Sequence, residues 1–353
     1  MIITSILIIV SSFVITYITI PILIKFAEFT RLYAEKNHRT CHETPIPSLG
    51  GIALFMGICF SSLLLTPNSE FGTIQYLLAT QFIIFFLGLK DDIFVLSARK
   101  KLLVQIICAQ IIFFYSGVKI DNFYNVLGMG ALNEIESNII TTLTFVGLIN
   151  AFNLIDGINW LAGLISLSAC LFLATWFGIN GFEVELGITL SLIGSLLAFL
   201  KFNKTPAKIF MGDTGSLLIG LTISYLLIRF INLNHKSTNL ILEFRSAPSI
   251  AVAVVFIPLL DTLRVMFIRI LNKKSPFTPD QNHLHHILLK KGLSHIQAAL
   301  ILFAINTACI IIAIALHRIT GKIVITSMFI VLFTFFNLIT FNRMSKKYFN
   351  ITI

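Results

Sequence analysis

Residues 2–24 read IITSILIIVSSFVITYITIPILI, an apolar run without a single charged side chain. An α-helix needs about 20 such residues to cross the hydrocarbon core of a bilayer. Neither this run nor the one at 248–268 alternates apolar and polar residues, as membrane β-strands do. The first run also has no basic region or small-residue cleavage site of the kind found in signal peptides. We therefore expect it to form the first of several transmembrane helices.

The composition extends this prediction to the whole chain. Of the 353 residues, 56% are hydrophobic and 12% are charged, whereas soluble domains contain about 25% charged residues. We predict an all-α integral membrane protein, a single polytopic domain over residues 1–353, with about eleven transmembrane helices. The candidate spans are 2–26, 49–66, 73–90, 102–118, 138–154, 161–179, 186–201, 215–232, 248–268, 297–316 and 322–341.

The distribution of charge predicts an orientation. Cytoplasmic loops of membrane proteins are enriched in Lys and Arg. With the N-terminus outside and the C-terminus inside, 18 of the 26 basic residues fall on the cytoplasmic side and 5 outside. We expect this bias, and not nucleic-acid binding, to explain the net charge of +10. The five cysteines form no CxxC pair, so we expect them to be reduced and buried.

The same orientation gathers the aspartates on one face. Six of the seven fall at cytoplasmic ends or loops, and only Asp121 lies outside. Acids at membrane depth are costly and tend to be functional. We therefore predict an active site on the cytoplasmic face.

The first motif is GLKDD at residues 88–92. The adjacent carboxylates of Asp91 and Asp92 repel each other unless a cation lies near them. Mg²⁺ binds through one or two carboxylates together with water and substrate phosphate, so the pair suggests a metal–phosphate site. A solvated loop is the simpler alternative. Val95 excludes the DDxxD pattern of prenyl synthases.

The second motif is NAFNLIDGIN at residues 150–159. Asn150, Asn153 and Asp156 are spaced to lie near one helical face, and Gly157 permits a turn or a close approach to a ligand. We interpret this as a polar face for a nucleotide or a metal. The alternative is a helix C-terminus with polar capping residues.

The third motif is FMGDTGS at residues 210–216, which follows a basic loop. Glycines, an acid and hydroxyls at a helix N-terminus suit phosphate binding. Asp213 or Thr214 is equally suited to capping the next helix, and the two roles are compatible.

The fourth motif is SPFTPDQNHLHH at residues 275–286. It contains His283, His285 and His286, but no cysteine or nearby glutamate that would complete a zinc site. Histidines can donate hydrogen bonds to a diphosphate or transfer protons near neutral pH. We favour such a role over a solvated polar loop.

Together these groups predict metal-assisted phosphoryl transfer to a lipid, a reaction that depends on positioning and charge stabilisation. The four motifs, in this order, resemble those of the polyprenyl-phosphate N-acetylhexosamine-1-phosphate transferase family. The resemblance extends from His42-Glu43-Thr44-Pro45 to the histidine cluster. It is strongest to the bacterial undecaprenyl-phosphate N-acetylglucosaminyl-1-phosphate transferases, whose SPFxPDxxHxHH pattern the fourth motif matches.

The resemblance implies a multi-pass enzyme of the bacterial cytoplasmic membrane. Such an enzyme transfers a sugar-1-phosphate from a UDP-sugar to undecaprenyl phosphate. The sugar is N-acetylglucosamine or a modified N-acetylhexosamine. UMP is released, and synthesis of a lipid-linked cell-surface glycan begins. Mg²⁺ is the implied cofactor, with Mn²⁺ as a substitute, and a homodimer is suggested by analogy.

The resemblance also implies roles for individual residues. Asp213 is the expected direct metal ligand, with Asp91 and Asp92 as further candidates. Asp91 and Asp92 are also expected to be catalytic, and Asp91 is the candidate base or nucleophile. The remaining residues are expected to bind substrate or assist transfer: Lys101 as the basic residue after the acid pair, Asn150, Asn153, Asp156, Gly157 and Asn159 at the nucleotide and diphosphate, Phe210 stacked on uracil, and His283, His285 and His286 at the diphosphate or sugar.

One motif departs from the family pattern. The family usually reads DGxDGL, whereas residues 156–161 read DGINWL, with Asn159 and Trp160 in place of the second acid and glycine. An asparagine can hydrogen-bond a uracil edge but carries no charge, so we expect an altered sugar or nucleotide preference. Two alternatives remain: an inactive scaffold, supported by this departure alone, and a transporter, for which we find no internal repeat.

Overall fold

The computed structural model describes residues 2–30, 46–65, 71–275 and 282–318, and these residues are almost entirely helical. Ten of the predicted spans coincide with described helices, and the eleventh, 322–341, lies outside the described residues. The α-helices are α1 Ile2–Thr30, α2 Gly50–Leu65, α3 Phe71–Ile93, α4 Ala98–Ile111, α5 Glu134–Ile155, α6 Leu161–Asn180, α7 Glu183–Asn203, α8 Gly212–Lys236, α9 Ala247–Val254, α10 Phe256–Leu271, α11 Leu284–Lys290 and α12 His295–Ala315.

The described helices confirm an all-α membrane protein. Seven are long and apolar enough to cross a bilayer, and the bent pair α9–α10 would make eight. Helix α2 is shorter, and α4 is continued by a π-helical turn at Ile112–Ser116. Within the described ranges the β-structure amounts to an isolated bridge between Asn122 and Ala131. The total of eleven spans and the N-out orientation stay predictions.

The predicted span 248–268 corresponds to two helices. The helix is interrupted at Val255, and α9 and α10 meet at 77°. Asn306 of α12 satisfies the backbone groups that this break exposes: its Nδ2 donates to the carbonyl of Val254 (3.0 Å), and its Oδ1 accepts from the amide of Ile257 (3.1 Å). Such compensation is needed because lipid offers no hydrogen bonds to free backbone groups.

Helix α8 is the centre of the bundle. In the most apolar 18-residue segment of α8, 89% of the residues are buried, compared with 22% in the corresponding segment of α1. Small residues let other helices approach it closely. A Cβ on Gly51 of α2 would lie 2.1 Å from the amide nitrogen of Gly215, and a Cβ on Gly88 of α3 would lie 2.4 Å from Cα of Thr214. The N-terminus of α8 is thereby held between α2 and α3.

The segment before α8 is fixed by the segment before α2. The amide of Phe210 donates to the carbonyl of Pro47 (2.9 Å), and the amide of Gly50 donates back to the carbonyl of Phe210 (2.9 Å). The amide of Gly51 donates to the carbonyl of Met211 (2.8 Å). These three bonds set where the third motif enters α8.

Candidate active site

Lys101 joins two of the four motifs. From the first turn of α4, its Nζ donates to Oδ2 of Asp91 at 2.7 Å and to Oδ2 of Asp213 at 3.0 Å. Helices α3, α4 and α8 therefore meet at one charged cluster, which brings together three of the predicted site residues. The cluster is partly open, since 24% of the Lys101 side chain and 29% of the Asp213 side chain are exposed.

Asp92 has a structural function that the sequence did not reveal. Its Oδ1 accepts from the amide of Asp213 (2.7 Å), and its Oδ2 accepts from the amide and hydroxyl of Thr214 (3.0 and 2.5 Å). Asp92 therefore caps α8 from a neighbouring helix, since Met211, at the N-cap position, makes no side-chain capping bond. Its predicted catalytic and metal-binding roles stay predictions.

The glycine before Asp213 is required by this cap. Gly212 has a φ of +71°, and a Cβ there would lie 2.7 Å from Oδ2 of Asp92. An L-side chain would meet both backbone strain and a steric clash. Gly212 thus allows Asp92 to reach the first amides of α8.

The two asparagines of the second motif separate. Nδ2 of Asn153 donates to Oδ1 of Asp213 and to Oγ of Ser216, both at 2.9 Å. Asn150 instead pairs with Gln105 of α4, with its Nδ2 2.7 Å from the Gln105 Oε1. Asn153 therefore belongs to the charged cluster, whereas the described contacts of Asn150 hold α4 against α5.

Asp156 follows the last residue of α5 as its C-cap. Burial raises the pKa of its carboxyl well above the usual range, and the charges of Asp213 and Asp92 raise it further. The carboxyl group of Asp156 therefore shares the electrostatic field of the α8 N-terminus with Asp91, Asp92 and Asp213.

The carboxylates of Asp91, Asp92 and Asp213 carry more negative charge than the ammonium of Lys101, the positive group that the described contacts place among them, can offset. A divalent cation would offset this excess. Among the described residues no three His, Cys, Asp or Glu side chains form a ready ligand set. The acids present fit the way Mg²⁺ is usually held, by one or two carboxylates with water and substrate phosphate completing the shell.

His285 is placed against the second motif. A Cβ on Gly157 would lie 2.3 Å from Nε2 of His285, so the glycine makes room for the imidazole ring. Burial lowers the pKa of His285 to about 3, so the ring is neutral at physiological pH. Neither of its ring nitrogens has a hydrogen-bond partner among the described residues. The ring of His286 lies beside it, with the ring centroids 4.2 Å apart.

Asp261 of α10 holds the histidine segment, which the sequence analysis missed. It lies 1% exposed, with Oδ2 2.9 Å from Nδ1 of His283 and Oδ1 accepting the amide of Leu284 (3.0 Å). Arg264 donates to the same carboxylate at 3.0 Å. The available signal was the position of Asp261 among the acids assigned to the cytoplasmic face. Residues 276–281 of the fourth motif lie outside the described ranges.

The departure from the family pattern has a structural counterpart. Asn159 is 3% exposed, and its Nδ2 donates to Oγ1 of Thr205 (2.9 Å). Trp160 has a φ of +73°, its amide donates to Oδ1 of Asn203 (2.7 Å), and its indole nitrogen donates to the carbonyl of Leu200 (2.9 Å). These contacts join the α5–α6 corner to the end of α7. Substrate contact by Asn159, and stacking of Phe210 on uracil, stay predictions.

The fold and site together define a helical membrane protein with an acid–lysine cluster where helices α3, α4 and α8 meet. Residues 74–231 match the model of glycosyl transferase family 4. The chain is 34% identical to a protein of Bacillus subtilis named a probable undecaprenyl-phosphate N-acetylglucosaminyl 1-phosphate transferase, covering 88% of this chain and 86% of the relative.

Two further relatives agree. The decaprenyl-phosphate N-acetylglucosaminephosphotransferase of Mycobacterium tuberculosis is 34% identical, over 76% of this chain and 72% of its own. The undecaprenyl-phosphate alpha-N-acetylglucosaminyl 1-phosphate transferase of Salmonella typhi is 31% identical, over 82% of this chain and 77% of its own. The chain belongs to this family of polyprenyl-phosphate N-acetylglucosamine-1-phosphate transferases. The resemblance stated from the motifs is confirmed, and the transporter alternative finds no support among these relatives.

Proposed function

We propose that this chain transfers N-acetylglucosamine-1-phosphate, or the 1-phosphate form of a modified N-acetylhexosamine, sugar included, from a UDP-sugar to undecaprenyl phosphate. The observation that carries the proposal is the Lys101 bridge between Asp91 and Asp213, set in a membrane-embedded acid cluster. The names of the relatives favour N-acetylglucosamine as the sugar and a polyprenyl phosphate as the acceptor.

In this proposal an oxygen of the lipid phosphate attacks the phosphorus that carries the sugar. A new P–O–P bond forms, the bond to the bridging diphosphate oxygen breaks, and UMP leaves with that electron pair. We propose direct attack by the lipid, with Asp91 in a positioning role. Its two oxygens accept hydrogen bonds from the amide of Leu96 (2.6 Å) and from Lys101 (2.7 Å). Asp91 then serves to hold Lys101.

The other residues orient and neutralise the reacting groups. Mg²⁺ bound at Asp213, with Asp91 or Asp92 near it, would neutralise diphosphate charge, and Mn²⁺ could replace it. Asn153 fixes the Asp213 carboxylate. His285 can donate one hydrogen bond from its neutral ring to a phosphate oxygen, since no described residue hydrogen-bonds to either ring nitrogen.

The cellular setting is part of the proposal. We place the chain in the bacterial cytoplasmic membrane as one domain with eleven spans, N-terminus outside and C-terminus inside, with UDP-sugar arriving from the cytoplasm. The product would begin a lipid-linked cell-surface glycan. A homodimer is an expectation from the family resemblance alone.

A transfer assay tests the reaction. Purified protein receives undecaprenyl phosphate, Mg²⁺ and radiolabelled UDP-N-acetylglucosamine, or in parallel other UDP-N-acetylhexosamines. We expect label in a lipid product together with equimolar UMP. A folded protein that forms no lipid product with any donor would contradict the proposal and favour the scaffold alternative.

Asp213→Asn gives the first prediction. We expect the rate to fall by at least about 100-fold, because the variant removes the charge that pairs with Lys101 and that is proposed to hold Mg²⁺. Asp121→Asn is the matched control, since Asp121 pairs with Lys236 at the other end of α8, and its rate should stay within about threefold of the parent. Near-normal transfer by Asp213→Asn would refute the metal assignment.

A further inference from the structure

The turn between α3 and α4 presents apolar side chains to its surroundings. Val95 is 95% exposed, Phe94 68% and Ile93 42%. These residues directly follow Asp91 and Asp92 in the sequence. A turn that entered water would expose this apolar surface at a free-energy cost that grows with its area.

The exposed residues of α3 and α4 indicate what surrounds the turn between them. On α3, Phe82 and Phe86 are exposed and spaced four residues apart, and Lys90 continues the same stripe. On α4, the exposed Leu103 and Ile107 form a stripe that begins with Arg99, again at a spacing of four. Each exposed apolar stripe therefore ends in a basic residue at the turn.

Such an arrangement is typical of a membrane boundary. Lys and Arg side chains place their stems along apolar surface and their charges among lipid headgroups. The apolar part of α3 covers Ile74–Ile93, which is 20 residues. A helix of this length spans about 30 Å, the thickness of the hydrocarbon core. The turn accordingly falls at the level where acyl chains meet headgroups.

The turn is also tied to the active site by backbone bonds. The amide of Leu96 donates to Oδ1 of Asp91 at 2.6 Å, and the amide of Phe94 donates to the carbonyl of Lys90 at 2.7 Å. On the other side, the amide of Lys101 donates to the carbonyl of Ser97 at 3.2 Å. These bonds link the position of the apolar tip to that of Asp91 and Lys101.

We propose that the Ile93–Ser97 turn is an interfacial anchor that inserts Phe94 and Val95 into the adjacent leaflet. Its partner is the anionic lipid surface, which the exposed Lys90, Arg99 and Lys100 attract. Through its bonds to Asp91 and Lys101, the anchor sets the depth of the charged cluster to that of a lipid phosphate. This last step rests on the proposed function, whereas the insertion itself does not.

Insertion is tested with a nitroxide label at one introduced cysteine per variant. The background carries Cys41→Ser, and the four remaining native cysteines (Cys59, Cys108, Cys170 and Cys309) are buried. The protein is placed in nanodiscs of phosphatidylethanolamine and phosphatidylglycerol. Val95→Cys is compared with Phe86→Cys on the exposed apolar stripe of α3 and with Lys204→Cys in the exposed loop after α7. We expect the Val95 label to be relaxed by oxygen more than by a water-soluble nickel chelate, as at Phe86. Relaxation like that at Lys204 would overturn the anchor.

Kinetics test the consequence for the site. For Phe94→Ser/Val95→Ser we expect the KM for undecaprenyl phosphate in nanodiscs to rise roughly tenfold, with the KM for the UDP-sugar unchanged. The apolar Phe94→Leu/Val95→Leu variant should restore the parent KM. An unchanged lipid KM, or an equal loss for both substrates, would overturn the positioning role. If the parent protein transfers nothing, the proposed function fails while the label measurement still decides the anchor.

Discussion

At the scale of single residues, Lys101 controls the charge balance of the site. We expect Lys101→Gln to lower kcat by at least about 100-fold, because both Asp91 and Asp213 lose their ammonium partner. The same variant should need less Mg²⁺ for half-maximal rate, since the remaining negative charge attracts the cation more strongly. Rates measured across a Mg²⁺ titration test both effects.

The exposed neighbour Lys100 provides the control for Lys101. Lys100→Gln removes the same charge from the next position of α4, and its kcat should stay within about threefold of the parent. Equal losses in the two variants would show that net basic charge matters and that the Lys101 bridge does not.

Trp160 tests the backbone at the same scale. Its φ of +73° costs about 1 kcal/mol for any L-side chain but not for glycine. Both truncations lose the indole bond to Leu200, so their difference isolates the backbone. We expect Trp160→Gly to be more stable than Trp160→Ala by about 1 kcal/mol in denaturation experiments in mixed micelles.

The control for Trp160 lies within α6. At the exposed, helical Thr175, alanine should be more stable than glycine by about 1 kcal/mol, which is the usual order. If the alanine variant is also more stable than the glycine variant at position 160, the left-handed conformation of Trp160 is wrong. The glycine found here in the family pattern would then have another explanation.

At the scale of helices, the approach of α2 to α8 positions Asp213. A Cβ on Gly51 would meet the amide nitrogen of Gly215 at 2.1 Å, so Gly51→Ala must push α2 and α8 apart. We expect transfer to fall by at least about tenfold, since displacements near 1 Å are costly in a preorganised site. In α5, a Cβ on Gly147 would meet nothing within 4 Å, and Gly147→Ala should keep the parent rate. Equal transfer rates in Gly51→Ala and Gly147→Ala would show that the close approach of α2 to α8 does not position Asp213.

The helices also show what the sequence could predict. Apolar run length located ten spans that coincide with described helices. The family resemblance named Asp91, Lys101 and Asp213 as site residues, and the structure places these three side chains in one cluster. The break at Val255 was missed because its backbone groups are satisfied by Asn306, a residue of a distant helix. The capping of α8 by Asp92, and the pairing of Asn150 with Gln105, were missed for the same reason. Contacts between helices leave no periodic signal in a single sequence.

At the scale of the whole molecule, the orientation follows from charge and can be measured directly. Ala98 begins α4 beside the acid cluster, and Ala131 lies in the exposed segment before α5, at the other end of that helix from Asp156. The basic loops on the side of Ala98 predict that this side faces the cytoplasm. In the Cys41→Ser background, we therefore expect Ala131→Cys to react with a membrane-impermeant maleimide in intact cells, and Ala98→Cys to react only after permeabilisation.

The outcome bears on function as well as on topology. UDP-sugars are made in the cytoplasm, and a charged nucleotide does not cross the hydrocarbon core unaided. The acid cluster must then face the cytoplasm for the proposed reaction to occur. Labelling of Ala98→Cys in intact cells would reverse the orientation and deprive the site of its donor. Labelling of Ala131→Cys alone would place Asp91, Lys101 and Asp213 where both the donor and the lipid phosphate can reach them.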